Sequence, residues 1–236
     1  LQAYDSFAAA YDAAGFGRFA DETAHRLAAV WRDELPGDAR ILDLAGGTGR
    51  AAARFRRAGF SAVTVDLSHG MLRAAKGPRV QADARRLPFR AAFGAVVLFY
   101  DAVNHLAPAD LRALFGACAG VLVPGGRLAF DANTAAAMKM WIDEPCEIRT
   151  REAVLQIASR YDAKRRRLEN TVTGWAAVAG GRQAVHDRVV EWYHPARDLE
   201  RAFTAAGFEV LSEESVYMDQ TKPKTASKRL YELVLP

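Results

Sequence analysis

The stretch "ILDLAGGTGR", Ile41 to Arg50, decides the fold. An apolar run carrying one acid, Asp43, hands over to three glycines within four residues, Gly46, Gly47 and Gly49. Glycine reaches positive φ and lets a ligand approach the main chain closely. A helical segment, Arg50–Ala58, follows. A strand, a glycine turn and a helix in that order open a unit whose ligand lies beyond the strand's carboxyl end. Gly47-x-Gly49-x-x-Ala52 also satisfies the relaxed dinucleotide pattern. The loop alone therefore leaves the ligand open.

Outward from this turn the chain alternates. Upstream, Asp21–Leu35 places Ala24, Leu27, Ala28, Trp31 and Leu35 on one helical stripe, ended by Pro36-Gly37. Downstream, strands are expected at Ala62–Val65, Arg79–Gln81, Ala95–Tyr100 and Leu128–Asp131. Helices are expected at His69–Lys76 and Pro108–Val121. This alternation implies a parallel sheet covered on both faces. After Asn133 the pattern changes. Ala153–His194 reads as three long strands with turns near Asp162–Lys164 and Gly180-Gly181, an antiparallel meander. A helix at Pro195–Ala206 and an antiparallel pair, Phe208–Tyr217 and Arg229–Leu235, complete the chain. A linker, Asp219–Ser227, joins that pair.

Acids punctuate the strands. Asp66 ends the second strand, 17 residues beyond Gly49, and Asp83 ends the third, 17 further on. A carboxylate accepts from both hydroxyls of a ribose, or from an exocyclic adenine amine. One such acid reads equally well as a helix cap or a surface charge. Three at strand ends with even spacing point to a ligand rich in donors.

Together, Asp43-x-Ala45-Gly46-Gly47-Thr48-Gly49, Asp66 with Met71, Asp83-Ala84 and Pro124-Gly125-Gly126 resemble the class I S-adenosylmethionine-dependent methyltransferases. The resemblance covers roughly Tyr4–Asn133 and Pro195–Pro236. It implies an α/β fold: a Rossmann-like seven-stranded methyltransferase sheet, its last strand antiparallel, with the β meander inserted. The expected division is a cofactor domain over residues 1–134 and 195–236 and an inserted sheet over 135–194. The implied cofactor is S-adenosyl-L-methionine. Gly46–Gly49, with Asp43, Ala45 and Thr48, would lie under its methionine part and Asp66 would hold the ribose. Leu67 and Met71 would sandwich adenine, with Asp83 and the Ala84 backbone at its polar edge and the Phe99 carbonyl facing the amino group. The family often has Gly where this chain has Ala45, which is acceptable if that residue keeps φ below zero.

Methyl transfer asks alignment, desolvation and sometimes a base of the protein. "FYDAVNHL" follows the fourth strand, where acceptors usually lie in this family, and lacks the motifs of nucleobase amine and cytosine-C5 methylases. Its His105 reads as a base or acceptor guide, because imidazole titrates near neutrality. It reads equally as a helix-start residue bonded to backbone. The aromatic N-terminus, Tyr4 to Tyr11-Asp12, resembles small-molecule methyltransferases, including N-methylating enzymes of sugar and antibiotic pathways. That makes Tyr11 a candidate cofactor contact, or else a residue packing the N-terminal helix. Asp101 with Asp131-x-Asn133 resembles a divalent-metal site only with altered spacing, and no metal is expected. The meander, with Trp175, His186, Trp192 and Tyr193, is expected to roof the acceptor pocket or to form a homodimer interface.

The 236 residues carry a formal charge of +4, and only 6 of the 32 basic side chains are Lys. The basic run Lys164–Arg167 reads as an exposed hairpin turn, so nucleic acid is not the expected partner. Neither Cys118 nor Cys146 sits in a CxxC pair, and the five histidines lack zinc-ligand spacing. No export signal or membrane span is read, which gives a cytoplasmic expectation. The reading is thus a methyltransferase acting on a small molecule, nitrogen ahead of oxygen. An RNA-directed methyltransferase or nucleic-acid-binding module, a nicotinamide-linked oxidoreductase and a non-catalytic cofactor-binding protein are the alternatives.

Overall fold

A computed structural model describes residues 4–139, 142, 145–217 and 226–236. Its strands are β1 Arg40–Leu44, β2 Ser61–Asp66, β3 Arg79–Gln81, β4 Phe93–Leu98, β5 Leu122–Asn133, β6 Cys146–Arg149, β7 Ala153–Asp162, β8 Arg167–Val178, β9 Gly181–Trp192, β10 Glu209–Val216 and β11 Lys228–Val234. The helices are α1 Ala8–Tyr11, α2 Arg18–Glu34, α3 Arg50–Arg57, α4 His69–Ala74, α5 Leu111–Val121 and α6 Ala196–Thr204. Seven strands form one sheet in the order β10-β11-β5-β4-β1-β2-β3, with β11 antiparallel to both neighbours. Strands β6 to β9 form a separate antiparallel sheet. No described helix is long and apolar enough to cross a membrane.

The period of two along a strand sorts the core onto two faces. Ile41, Ala95 and Val97 join α2 and α3 on one face, around Trp31 stacked on Phe55 at 5.6 Å. Leu42, Leu44, Val96 and Leu98 join α5 and α6 on the other, around Phe115, Phe130 and Phe203. Strand β4 is buried at every residue, as a central parallel strand requires.

The structure moves several boundaries. β4 stops at Leu98, so Phe99 and Tyr100 lie past its end and face the space above the sheet. Pro124-Gly125-Gly126 is not a free turn ahead of β5 but an irregularity inside it. Gly125 N donates to Leu235 O at 2.7 Å and Leu235 N donates to Gly126 O at 2.9 Å, so the chain's last strand pins it. The meander gains a fourth strand, β6, too short to show as a periodic pattern. The Asp219–Ser227 linker lies largely outside the described residues.

The small sheet is covered from within the chain. Phe7 and Ala10 pack on Leu155, Val172 and Val185. Buried Asp187 accepts from Ser6 Oγ and Phe7 N, each at 2.7 Å. Asn104, wholly buried, stitches the same sheet to the large one: its Nδ2 donates to Trp192 O and its Oδ1 accepts from Asn133 N.

Candidate active site

Beyond the carboxyl ends of β1 to β4 lies a crevice of about 420 Å³. All but one of the expected site residues line it: Tyr11, Asp43, Ala45, Gly46, Gly47, Thr48, Asp66, Leu67, Met71, Asp83, Ala84, Phe99 and His105. Gly49 is the exception. A Cβ there would meet Thr64 Oγ1 at 2.9 Å and Ala75 at 3.3 Å, so this residue serves the packing of α3 on β2.

The first turn is built over a buried acid. Asp43 Oδ2 accepts from Ala52 N at 3.0 Å, and a Cβ on Gly46 would lie 2.4 Å from the Asp43 carboxyl carbon. Only glycine passes there. Ala45 adopts φ +52°, contrary to the expectation of a negative φ. A non-glycine residue in the left-handed region costs about 1–2 kcal/mol, so the turn carries strain at the crevice wall. Gly47, also at positive φ, leaves room for Met71 Cε, which a Cβ would approach to 2.8 Å.

Asp66 is held on both oxygens. Gly47 N donates to Oδ2 and Ser68 N to Oδ1, each at 2.8 Å. The Leu67 N–H adds to these donors, and since a carboxylate accepts about four hydrogen bonds, acceptor capacity remains. Burial raises this carboxyl above the usual range, opposed by those N–H donors. Leu67 stands exposed at the lip and Met71 is buried beneath. Asp83 is engaged by Arg85, which also reaches Asp110.

At the far end, Tyr4, Tyr11, Tyr100, His105 and Val190 close the crevice. Tyr11 packs its ring edge-on to Tyr4, Phe7 and Tyr100 and also lines the crevice. His105 Nδ1 lies 3.3 Å from Val190 O, a group that only accepts, so this bond puts the ring proton on Nδ1. Nε2 then accepts from Tyr4 Oη at 3.1 Å. The backbone bond and the crevice position are both realised. The meander supplies Arg188, Val189 and Val190 to the wall. Its aromatics do other work: Trp175 and Trp192 lie under Arg182 and Arg167.

The sequence reading did not single out Lys228. It is 3% exposed, and its Nζ donates to Asp101 Oδ1 and to Asn133 Oδ1 at 2.8 Å, and pairs with Asp131 Oδ2 at 2.9 Å. Asp101, Asp131 and Asn133, weighed above against a divalent-metal site, close on this ammonium instead. Burial pushes Lys228 toward neutrality, and Asp101 and Asp131 more than offset it, holding it charged. An acid-x-Asn pair facing an acid after the neighbouring strand was the available signal. The missing cation was a lysine in the last strand.

A methyltransferase-domain family model matches residues 41–126. The chain is 41% identical over 101 residues to the demethylmenaquinone methyltransferase of Corynebacterium urealyticum, covering 41% of this chain and 42% of that protein. The chain thus spans less than half the length of that relative. Its fold superposes with a TM-score of 0.79 on an S-adenosylmethionine-dependent methyltransferase from Clostridium acetobutylicum, at 19% identity over 98% of each chain. It superposes at 0.71 on CalS10, an amino pentose methyltransferase from Micromonospora echinaspora solved with S-adenosylmethionine bound, at 23% identity over 96% of each chain.

Two buried ionisable groups generate tests. Replacing Lys228 by Met strands Asp101 and Asp131 side by side. Urea denaturation at neutral pH should show a loss of about 3–5 kcal/mol, partly recovered by adding Asp131→Asn. Burial raises the Asp43 carboxyl to about 7, the Ala52 N–H opposing and Asp66 adding to it. The folded state therefore keeps a proton that an unfolded Asp releases near pH 4. Stability contributed by this group falls as pH rises from about 4 to about 7 and then levels. Asp43→Asn should flatten that stretch of the stability–pH curve, and an unchanged slope would refute the assignment.

The glycine turn over Asp43 and the strand-end acids lie within or beside the stretch, residues 41–126, that matches a methyltransferase domain, and the chain as a whole has the fold of S-adenosylmethionine-dependent methyltransferases.

Proposed function

We propose that the chain is a methyltransferase that binds S-adenosylmethionine and methylates a small-molecule acceptor, nitrogen ahead of oxygen. One observation carries this reading: a single crevice joins the glycine turn and strand-end acids to Tyr4 and His105. The donor set fits the cofactor. Asp66 keeps acceptor capacity for a ribose hydroxyl, and Gly47 leaves the main chain open beside Met71. In this reading Gly46, Gly47 and Thr48 lie along the methionine part, Leu67 and Met71 flank adenine, Asp83 and Ala84 meet its edge, and the Phe99 carbonyl faces the ammonium.

The bound cofactor supplies an electrophilic methyl on a sulfonium. Tyr4, Tyr11, Tyr100 and Val190 exclude water from the far end. His105, its Nδ1 proton fixed on Val190 O, acts as the base through Tyr4: the Tyr4 hydroxyl gives its proton to Nε2 as it takes the acceptor's proton. Asp101 Oδ2, 3.9 Å from Nε2, offers a carboxylate to an amine-bearing acceptor. The fold shared with an amino pentose methyltransferase supports nitrogen. The free thiols Cys118 and Cys146 support a cytoplasmic setting. The basic run gives the RNA-directed alternative little support: Arg165 pairs with Asp162, Arg166 with Asp198 and Arg167 with Glu169.

Calorimetry with S-adenosylhomocysteine tests the cofactor half. Asp66→Ala should weaken binding about ten- to a hundredfold, the worth of roughly 1.5–3 kcal/mol of hydrogen bonding to a carboxylate, with the fold intact. Unchanged affinity would remove Asp66 from the site. For the chemical half, an acceptor is found by screening amine-bearing glycosides. With it, His105→Ala should lower turnover about 10²–10⁴-fold and leave cofactor affinity alone, and His105→Asn should recover part of the loss only if orientation dominates. Wild-type turnover in His105→Ala would assign the residue to structure.

A further inference from the structure

The acid at the adenine end is already spoken for. Asp83 Oδ1 accepts from the Arg85 backbone N at 2.9 Å and from its Nε at 3.0 Å. Asp83 Oδ2 takes the same Nε at 3.1 Å and the terminal nitrogen Nη2 at 2.6 Å. Four contacts match the four acceptor positions of a carboxylate. The guanidinium's other arm, Nη1, reaches Asp110 Oδ1 at 3.1 Å, ahead of α5. All three residues line the crevice, so the pair of ion bridges spans its adenine end. Asp66 contrasts with this: its partners are backbone N–H groups, with no guanidinium across it.

We infer that Arg85 is a specificity-determining residue that competes with the adenine amine for Asp83. The inference rests on the cofactor reading above. An incoming exocyclic amine finds no vacant acceptor and displaces one arm of the guanidinium. Part of the hydrogen bond it gains is offset by the ion pair it breaks. A purine with a carbonyl at that position loses less than it would against an unoccupied carboxylate, because the guanidinium has N–H groups to donate to it. Arg85 therefore holds the site's preference for adenine below what Asp83 alone would give.

The test compares S-adenosylhomocysteine with S-inosylhomocysteine by calorimetry. Arg85→Ala should bind the adenine compound about two- to fivefold more tightly, the scale of an exposed ion pair, and the inosine compound no better or worse. The adenine preference should widen by at least the same factor. Asp83→Ala added to Arg85→Ala should abolish the gain, and Arg85→Gln should reproduce it. An unchanged or narrower preference in Arg85→Ala, or a gain that persists without Asp83, overturns the inference. Absence of S-adenosylhomocysteine binding by the unaltered chain would instead overturn the cofactor reading, so the two failures are distinct.

Discussion

A lysine ammonium sealed from water holds together the end of the sheet where the crevice closes. Lys228 arrives on β11 and is bound by groups at the ends of β4 and β5. A buried cation is tolerated only when paired and hydrogen-bonded. That condition fixes Asp101, and through it the backbone. Tyr100 and Asp101 are consecutive non-glycine residues at positive φ, +62° and +54°. Each costs of order 1–3 kcal/mol and persists where its surroundings over-determine it. Here Lys228 holds the carboxylate, Asp131 Oδ2 accepts from Asp101 N, and the ammonium also lies over the Tyr100 ring. The strained pair turns Tyr100 into the crevice wall and sets Asp101 beside His105.

The crevice's outer wall depends on the first residues described. Asp12 accepts from Thr48 Oγ1 and Arg50 Nε, tying this segment to the glycine turn. Asp5 accepts from Ser68 Oγ at 2.7 Å, at the start of α4. Gly70 explains how the segment lies so close: a Cβ there would meet Asp5 O at 2.9 Å. On its other side Ser6 and Phe7 bond Asp187 of β9. Tyr4 and Tyr11 are thus fixed between the large sheet and the small one. Local α-helical propensity has little part in this, since α1 is a single turn. The segment is placed by acids and aromatic packing.

That difference explains what could be read from the sequence. The parallel sheet was legible because β1, β2 and β4 are short apolar runs separated by turn signals, and because acids recur at their ends. The glycine turn was legible because glycine has few uses that are not conformational. Ala45 was misjudged because sequence does not report φ, and the neighbouring turn forces a left-handed residue whichever side chain is present. β6 was missed because four residues of alternating burial carry too little pattern. Lys228 was missed for a stronger reason. A buried lysine and a surface lysine look alike in sequence, and its three partners come from β5 and the turn after β4, far along the chain. The meander's aromatics drew attention as a roof, while the wall is made by Arg188–Val190 on the strand that reaches the crevice.

The same geometry decides between the two ligands that the glycine turn left open. A pyrophosphate at a strand–helix turn needs backbone N–H groups aimed at it. Here Gly47 N and Ser68 N donate into Asp66. The N–H of Gly46 bonds Val65 O and that of Gly49 bonds Gly46 O. These donors are spent, and the buried carboxyl of Asp43 lies directly beneath the turn. An anion would meet Asp66 without those donors to compensate. In the proposed reading, a ligand that brings hydroxyls, an ammonium and an amine would meet acceptors in Asp66 and in Asp83 behind Arg85. The relaxed dinucleotide pattern is therefore present in letters and absent in hydrogen bonds. What separates the two is the destination of the N–H groups, and the acid at the end of β2 sets it.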